Sequence, residues 1–100
     1  MIARTWRATA ADAGAYRRHF EDTVLPALGE LDGHRGAYLM ERDDPAGTVE
    51  IQVVTLWESM DAVRAFTGPD TDGAVVEPAA RAALTGYDTT VTHYEVVLAP

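Results

Sequence analysis

Apolar residues alternate through VEIQVVTLW, residues 49–57, at the period of a β-strand, and the run passes directly into ESMDAVRAF. Ser59 stands at the joint as a helix cap, with Asp61 in the first turn of a helix over Met60–Thr67 that Gly68-Pro69 ends. Upstream, Ile2–Ala8 reads as a strand with Ile2, Arg4 and Trp6 on one face and Ala3, Thr5 and Arg7 on the other. A helix follows from Asp12, with Tyr16, Phe20, Val24, Leu28 and Leu31 near four-residue spacing. Pro26 is expected to break or kink it after Leu25, leaving the stretch up to Leu31 as a separate short turn. Gly33 and Gly36 precede a strand over Ala37–Arg42, and Asp43-Asp44-Pro45-Ala46-Gly47 turns it into the 49–57 strand as a hairpin. Residues 70–85 read as a broken helical region with Pro78 in a first turn and Gly86 as a stop. The last strand, Val91–Leu98, carries His93, Tyr94 and Glu95 where an ordinary strand would be apolar.

The order is β-α-β-β-α-β, the ferredoxin-like split βαβ pattern, in a single α+β domain over residues 1–100. Its four-stranded antiparallel sheet has helices on one side and a bare face on the other. Trp6, Tyr38, Met40, Val53 and Trp57 are expected on that bare face, more apolar surface than water tolerates. A twofold partner covering it with the same face is the simplest solution, so a homodimer is expected, with a pocket between sheet and helices.

Composition narrows the chemistry. The net charge is −8, with no basic run, so nucleic acid is not expected as a partner. No apolar run approaches the ~20 residues that span a bilayer, so no membrane partner is expected. The N-terminus leads directly into a strand without the pattern of a signal peptide, and the expected location is cytoplasmic. Cysteine is absent, which removes thiolate nucleophiles, disulfides and thiolate–metal sites. Lysine is absent too, which removes side-chain Schiff bases. Ser59 is the only serine, and helix capping accounts for it better than nucleophilic catalysis. Histidines, tyrosines, tryptophans, arginines and carboxylates remain.

Alternation in the last strand sets Val91, His93, Glu95 and Val97 on one face, with Thr92, Tyr94, Val96 and Leu98 expected against the helices. His93 and Glu95 then point to the dimer or pocket side. The last strand of this topology neighbours the first, which brings Arg4 within reach of both. An Arg4–Glu95 pair would hold His93 near neutral pKa, where imidazole acts as acid or base. The competing reading is a structural histidine beside a buried salt bridge, and both stay open. Trp6, Tyr38, Thr55 and Trp57 are expected to line the same space, as walls for a flat aromatic ligand or as filling of a dimer core. His19, beside Arg17 and Arg18, reads as a solvated surface residue, and His34 as part of a glycine-flanked loop. Asp70 and Asp72 are explained by turn chemistry, and Glu77 before Pro78 by a helix start. Neither His19 nor His34 has a partner at metal-ligand spacing, and no metal site is expected.

The run TLWESMDAVRAFTG, followed by AVVEPAARAAL and ending in VTHYEV, resembles the dimeric α/β-barrel superfamily, and within it the antibiotic-biosynthesis-monooxygenase-like proteins. The resemblance covers Ile2 to Val97 and implies two ferredoxin-like sheets pairing into a dimeric barrel. Relatives of this kind include cofactor-free quinone-forming oxygenases, haem-degrading enzymes and polyketide cyclases, so the fold alone does not carry the reaction. Haem-degrading members use an asparagine, a tryptophan and a histidine, and the matching positions hold Arg4, Phe66 and Val76. All three are lost. The resemblance instead implies a cofactor-independent monooxygenase acting on an aromatic or polyketide-type small molecule in secondary metabolism, with no cofactor. His93 would take the substrate's proton, while Arg4, with Gln52 or Tyr38, would stabilise the oxyanion. Trp6, Tyr38, Thr55, Trp57 and Glu95 would bind the substrate. A cyclase or isomerase using the same pocket is the alternative, and a non-catalytic ligand-binding dimer is a third.

Overall fold

The computed structural model describes all 100 residues. Strand β1, Ile2–Ala10, is the central strand, and it pairs antiparallel with β3, Val49–Trp57, along its whole length, from Ile2 opposite Trp57 to Ala10 opposite Val49. On the far side of β3 lies β2, His34–Asp43, with a bulge between His34 and Gly36. The other edge of β1 is shared by two short strands, β4 over Gly86–Tyr87 and β5 over Thr92–Glu95. The expected last strand is therefore shortened to Thr92–Glu95, β4 is added where Gly86 was expected only as a stop, and the sheet has five strands rather than four, in the order β2-β3-β1 followed by β4 and β5. Residues 96–100 carry no regular structure.

Local signals explain the joints. The Asp12 carboxylate caps helix α1, Ala13–His19, by accepting from the Gly14 N–H at 2.9 Å. Pro26 does not break the chain's helical course. Phe20–Val24 instead widens into a π-helical segment, closed by the Leu25 N–H on the Phe20 carbonyl, and α2 runs on over Leu25–Gly29. Proline removes a donor from the ladder, and here it stands in the first turn of α2, just past the wider segment. The hairpin turn closes through the Asp44 N–H on the Thr48 carbonyl at 2.8 Å, and the Asp44 carboxylate accepts from the Ala46 N–H. Ser59 caps α3, Met60–Thr67, through the Ala62 N–H. Only α4, Pro78–Ala82, is helical within residues 70–85.

The faces of the sheet differ from expectation in the first, third and last strands. Trp6, Val53 and Trp57 lie on the helix-covered face, where Ala8, Ala10, Tyr16, Phe20, Ile51, Val53 and Ala80 form the main core. Trp57 is fully buried with Leu28 and Val63, stacked on Phe66 at 5.2 Å and met edge-on by His34. Tyr38 and Met40 do lie on the open face, at 60% and 45% exposure. Tyr94, expected against the helices, is opposite Ala3 on that same open face and is 58% exposed. Gly33 permits the close approach of α3 to β2: its φ is 84°, and a Cβ there would sit 2.5 Å from that of Ala62.

Candidate functional site

Arg4 is the centre of the site. It sits in the middle of the sheet's helix-covered face, 5% exposed, and makes three hydrogen bonds there. Its Nη1 donates to the Thr71 carbonyl at 2.6 Å and to His93 Nε2 at 3.0 Å, and its Nη2 donates to the Gly73 carbonyl at 2.9 Å. A guanidinium has five N–H groups, so two remain uncommitted. Burial pulls the Arg4 pKa below its ordinary value, while Asp72 and Asp70 oppose that shift. The group stays protonated at any physiological pH.

The register of β1 and β5 puts His93 directly opposite Arg4. Because Arg4 can only donate, His93 Nε2 is the acceptor, and the imidazole proton is assigned to Nδ1, which faces the Asp72 carboxylate at 3.7 Å. Burial first, and then the Arg4 charge, lower the His93 pKa below the usual histidine value, with Asp72 pulling the other way. The imidazole is therefore neutral at pH 7, with its lone pair already engaged.

Both carbonyls that Arg4 holds belong to the loop between α3 and α4. This loop is also tied to the segment before β5, by the Ala74 N–H on the Thr89 carbonyl and the Val91 N–H on the Asp72 carbonyl, each at 2.9 Å. Asp70 accepts from the Gly73 N–H, so its carboxylate has the turn role expected of it. Pinned in this way, Ala74–Glu77 close one wall of a cavity of about 120 Å³ between sheet and helices. Arg4, Trp6, Val53 and Thr55 form its floor and Tyr16 and Phe20 its helical wall. Thirteen of its 17 lining residues are hydrophobic, which suits a mostly apolar ligand with a few polar attachment points.

Of the residues singled out from sequence, Arg4, Trp6 and Thr55 line this cavity. His93 stands behind Arg4, one hydrogen bond from the cavity. Trp57 lies beneath the floor, and its indole N–H donates to Thr55 Oγ1 at 2.8 Å, which fixes the threonine rotamer. Glu95 is exposed, pairs in register with Ile2, and makes no ion pair with Arg4; Asp72 and Asp70 supply the negative charge instead. Tyr38 is on the opposite face of the sheet, and so is Gln52, which pairs with Met40. Three residues with polar or ionisable side chains also line the cavity without having been read as site residues: Tyr16, His19 and Glu77. His19 is half-buried rather than fully solvated. For Tyr16 a signal existed, since it is the one member of the apolar stripe on the first helix that carries a hydroxyl to the buried side.

No family model matches the sequence, and no curated protein does. Solved structures do match in fold. One is a protein of Deinococcus radiodurans provisionally named an antibiotic biosynthesis monooxygenase, 18% identical, with a TM-score of 0.60 over 100% of this chain and 96% of that one. The fold is theirs. A second protein with the same provisional name, from Bacillus cereus, is 16% identical and has a TM-score of 0.55 over 99% of this chain and 95% of its own. The fold of these two proteins thus spans essentially the whole chain, as the resemblance in sequence implied. No helix is long and apolar enough to cross a membrane.

Proposed function

We propose that this protein is a cofactor-independent monooxygenase acting on a small aromatic, polyketide-type molecule in secondary metabolism. The observation that carries the reading is a buried guanidinium with two uncommitted N–H groups at the floor of an otherwise apolar, aromatic-walled cavity. Such a group stabilises negative charge on oxygen far more strongly there than in water. The names of the two fold neighbours support the same reading.

In this reading a phenol or hydroquinone places its hydroxyl against Arg4. Turning Arg4 toward that oxygen frees the lone pair of His93 Nε2, which takes the proton, and Asp72 steadies the resulting imidazolium through Nδ1. The phenolate's ring carbon adds to dioxygen, forming a C–O bond and a peroxide anion that recovers the proton. Loss of the remaining C–H proton then drives heterolytic O–O cleavage. One oxygen atom stays on carbon as the new carbonyl and the other leaves as water, so dioxygen takes all four electrons from the substrate and the new C=O. Trp6 and Thr55 hold the ring, Trp57 acts through Thr55, and Tyr38 and Glu95 have no part inside this cavity.

The test is oxygen uptake by metal-free protein over a panel running from one-ring hydroquinones to naphthohydroquinones and hydroxyanthrones. Uptake that depends on protein and falls at least tenfold in both His93→Ala and Arg4→Met supports the reading. Uptake no faster than buffer across the panel rejects it. One observation favours a second reading, a non-catalytic binding protein: the His93 lone pair is already taken by Arg4. Ligand binding without turnover, in air or under nitrogen, would select it.

The proposal includes a homodimer through the open sheet face. Tyr38, Met40 and Tyr94 stand exposed there around the half-buried Val54 and Leu56, an apolar patch that water does not favour. Light scattering should give twice the 10.8 kDa chain mass, and a monomer at every concentration would contradict it.

A further inference from the structure

Tyr16 brings to the cavity a hydroxyl that the mechanism above does not use. Tyr16 is 5% exposed and lines the cavity, yet its hydroxyl makes no hydrogen bond to the protein, although side-chain bonds are formed all around the site. The one buried side-chain polar atom without a partner is His34 Nε2, so the Tyr16 hydroxyl is not closed off from solvent and is free to donate to whatever occupies the cavity. The ring itself is packed on both sides. It is wedged against Trp6 at 6.1 Å and Phe20 at 6.4 Å between ring centroids, within the main core. Burial pushes its pKa up to about 12, so the group is a neutral donor throughout the physiological range.

Arg4 and Tyr16 present their donors from different layers, the sheet and the first helix. Trp6 borders both: it is two residues along β1 from Arg4, on the same face, and its indole packs on the Tyr16 ring. The cavity's volume, about 120 Å³, sets the size of what fits. An apolar cavity of about 150 Å³ holds a benzene molecule. One six-membered ring therefore matches the scale of this cavity's interior.

We propose that Tyr16 is a ligand-binding residue, and that the ligand is a single aromatic ring bearing two oxygen substituents, one held by Arg4 and the other by the Tyr16 hydroxyl. This rests on the preceding reading only in taking the cavity as the ligand site. It requires no turnover, so the two can fail separately.

The experiment is calorimetric titration under nitrogen with hydroquinone and with phenol, on the wild type and on Tyr16→Phe. Wild type should bind hydroquinone about tenfold more tightly than phenol, the effect of one further hydrogen bond in a water-poor site. Tyr16→Phe should lose that preference while binding phenol as before. Its melting temperature should be equal to the wild type's or higher, because the hydroxyl it removes has no partner to lose. Equal affinity of the wild type for both probes overturns the inference, as does a Tyr16→Phe variant that keeps the preference, or no binding of either probe at millimolar concentration. Tyr16-dependent binding with no oxygen uptake on any substrate leaves the inference standing and removes the monooxygenase reading.

Discussion

Replacing Arg4 by Met keeps most of the side chain's volume and removes its three hydrogen bonds, which makes it a direct measure of how the loop over the cavity is held. Hydrogen bonds from a charged donor contribute roughly 1.5–3 kcal/mol each. Two terms reduce the sum. The wild-type guanidinium bears a desolvation cost that methionine lacks, and the Thr71 and Gly73 carbonyls regain water if the loop lifts away. His93 is on a strand and cannot follow, so its Nε2 stays without a partner. A net loss of about 2–4 kcal/mol is expected, a large share of the ~5–15 kcal/mol typical of a domain this size. In a 100-residue chain that corresponds to a melting temperature lower by about 8–30 °C. Urea unfolding followed by fluorescence of Trp6 and Trp57 gives the global loss. Hydrogen exchange at the Ala74 and Val91 amides, whose acceptors tie the loop to the segment before β5, reports the local one. A global loss below about 0.5 kcal/mol, with both amides as protected as in the wild type, would refute the argument that Arg4 clamps the loop.

Stability should also depend on pH in a defined direction. His93 and His34 both titrate below the ordinary histidine value, burial being the first cause and the charge of Arg4 or Arg35 adding to it, so the unfolded chain binds their protons more readily. Their contribution is therefore present above about pH 6.5 and is lost as pH falls from there through the lowered folded values. The urea midpoint should drop between pH 7.5 and 5.5, and less so in a His34→Gln, His93→Gln double variant; an identical slope in that variant would show that other groups carry it. Gly33→Ala combines a φ of 84° with a Cβ 2.5 Å from that of Ala62, and should cost about 2–4 kcal/mol in thermal unfolding. Ser59→Ala should cost about 1 kcal/mol through loss of the Ala62 cap, measured the same way, and an unchanged melting temperature would argue that the cap is idle.

The order of elements was legible because punctuation along the chain is strong. Asp12, the 43–47 turn, Ser59, Gly68 and Pro78 all act where their chemistry places them. The faces of the sheet were harder to read. In β3 both alternating sets are largely apolar, Ile51, Val53 and Trp57 against Val54 and Leu56, so hydrophobicity does not say which faces the helices. In β1 the buried set contains an arginine whose carbonyl partners lie 67 and 69 residues away, beyond the reach of any local pattern. The bulge at His34–Gly36 and the length of the 44–48 turn set the register that pairs Tyr38 with Val54 rather than Val53, and no alternation rule contains them. The Arg4–His93 pairing followed from topology alone, whereas the role of Asp72 depended on a loop path that residues 70–77 do not encode by periodicity.

The centrality of β1 has a temporal consequence. Of the five strands, the first to leave the ribosome is the one every other strand but β2 needs, and its contact with His93 spans 89 positions. Arg4 must therefore wait, as a charged residue in a half-made sheet, until synthesis has passed His93. The β2–β3 hairpin and its junction with α3 can form first, from contacts close in sequence, but the cavity cannot close until β5 has been released. Long-range pairing of this kind slows folding. Nascent chains stalled before residue 92 would expose an apolar sheet edge and an unanchored loop, so synthesis of this small domain gives it no functional intermediate.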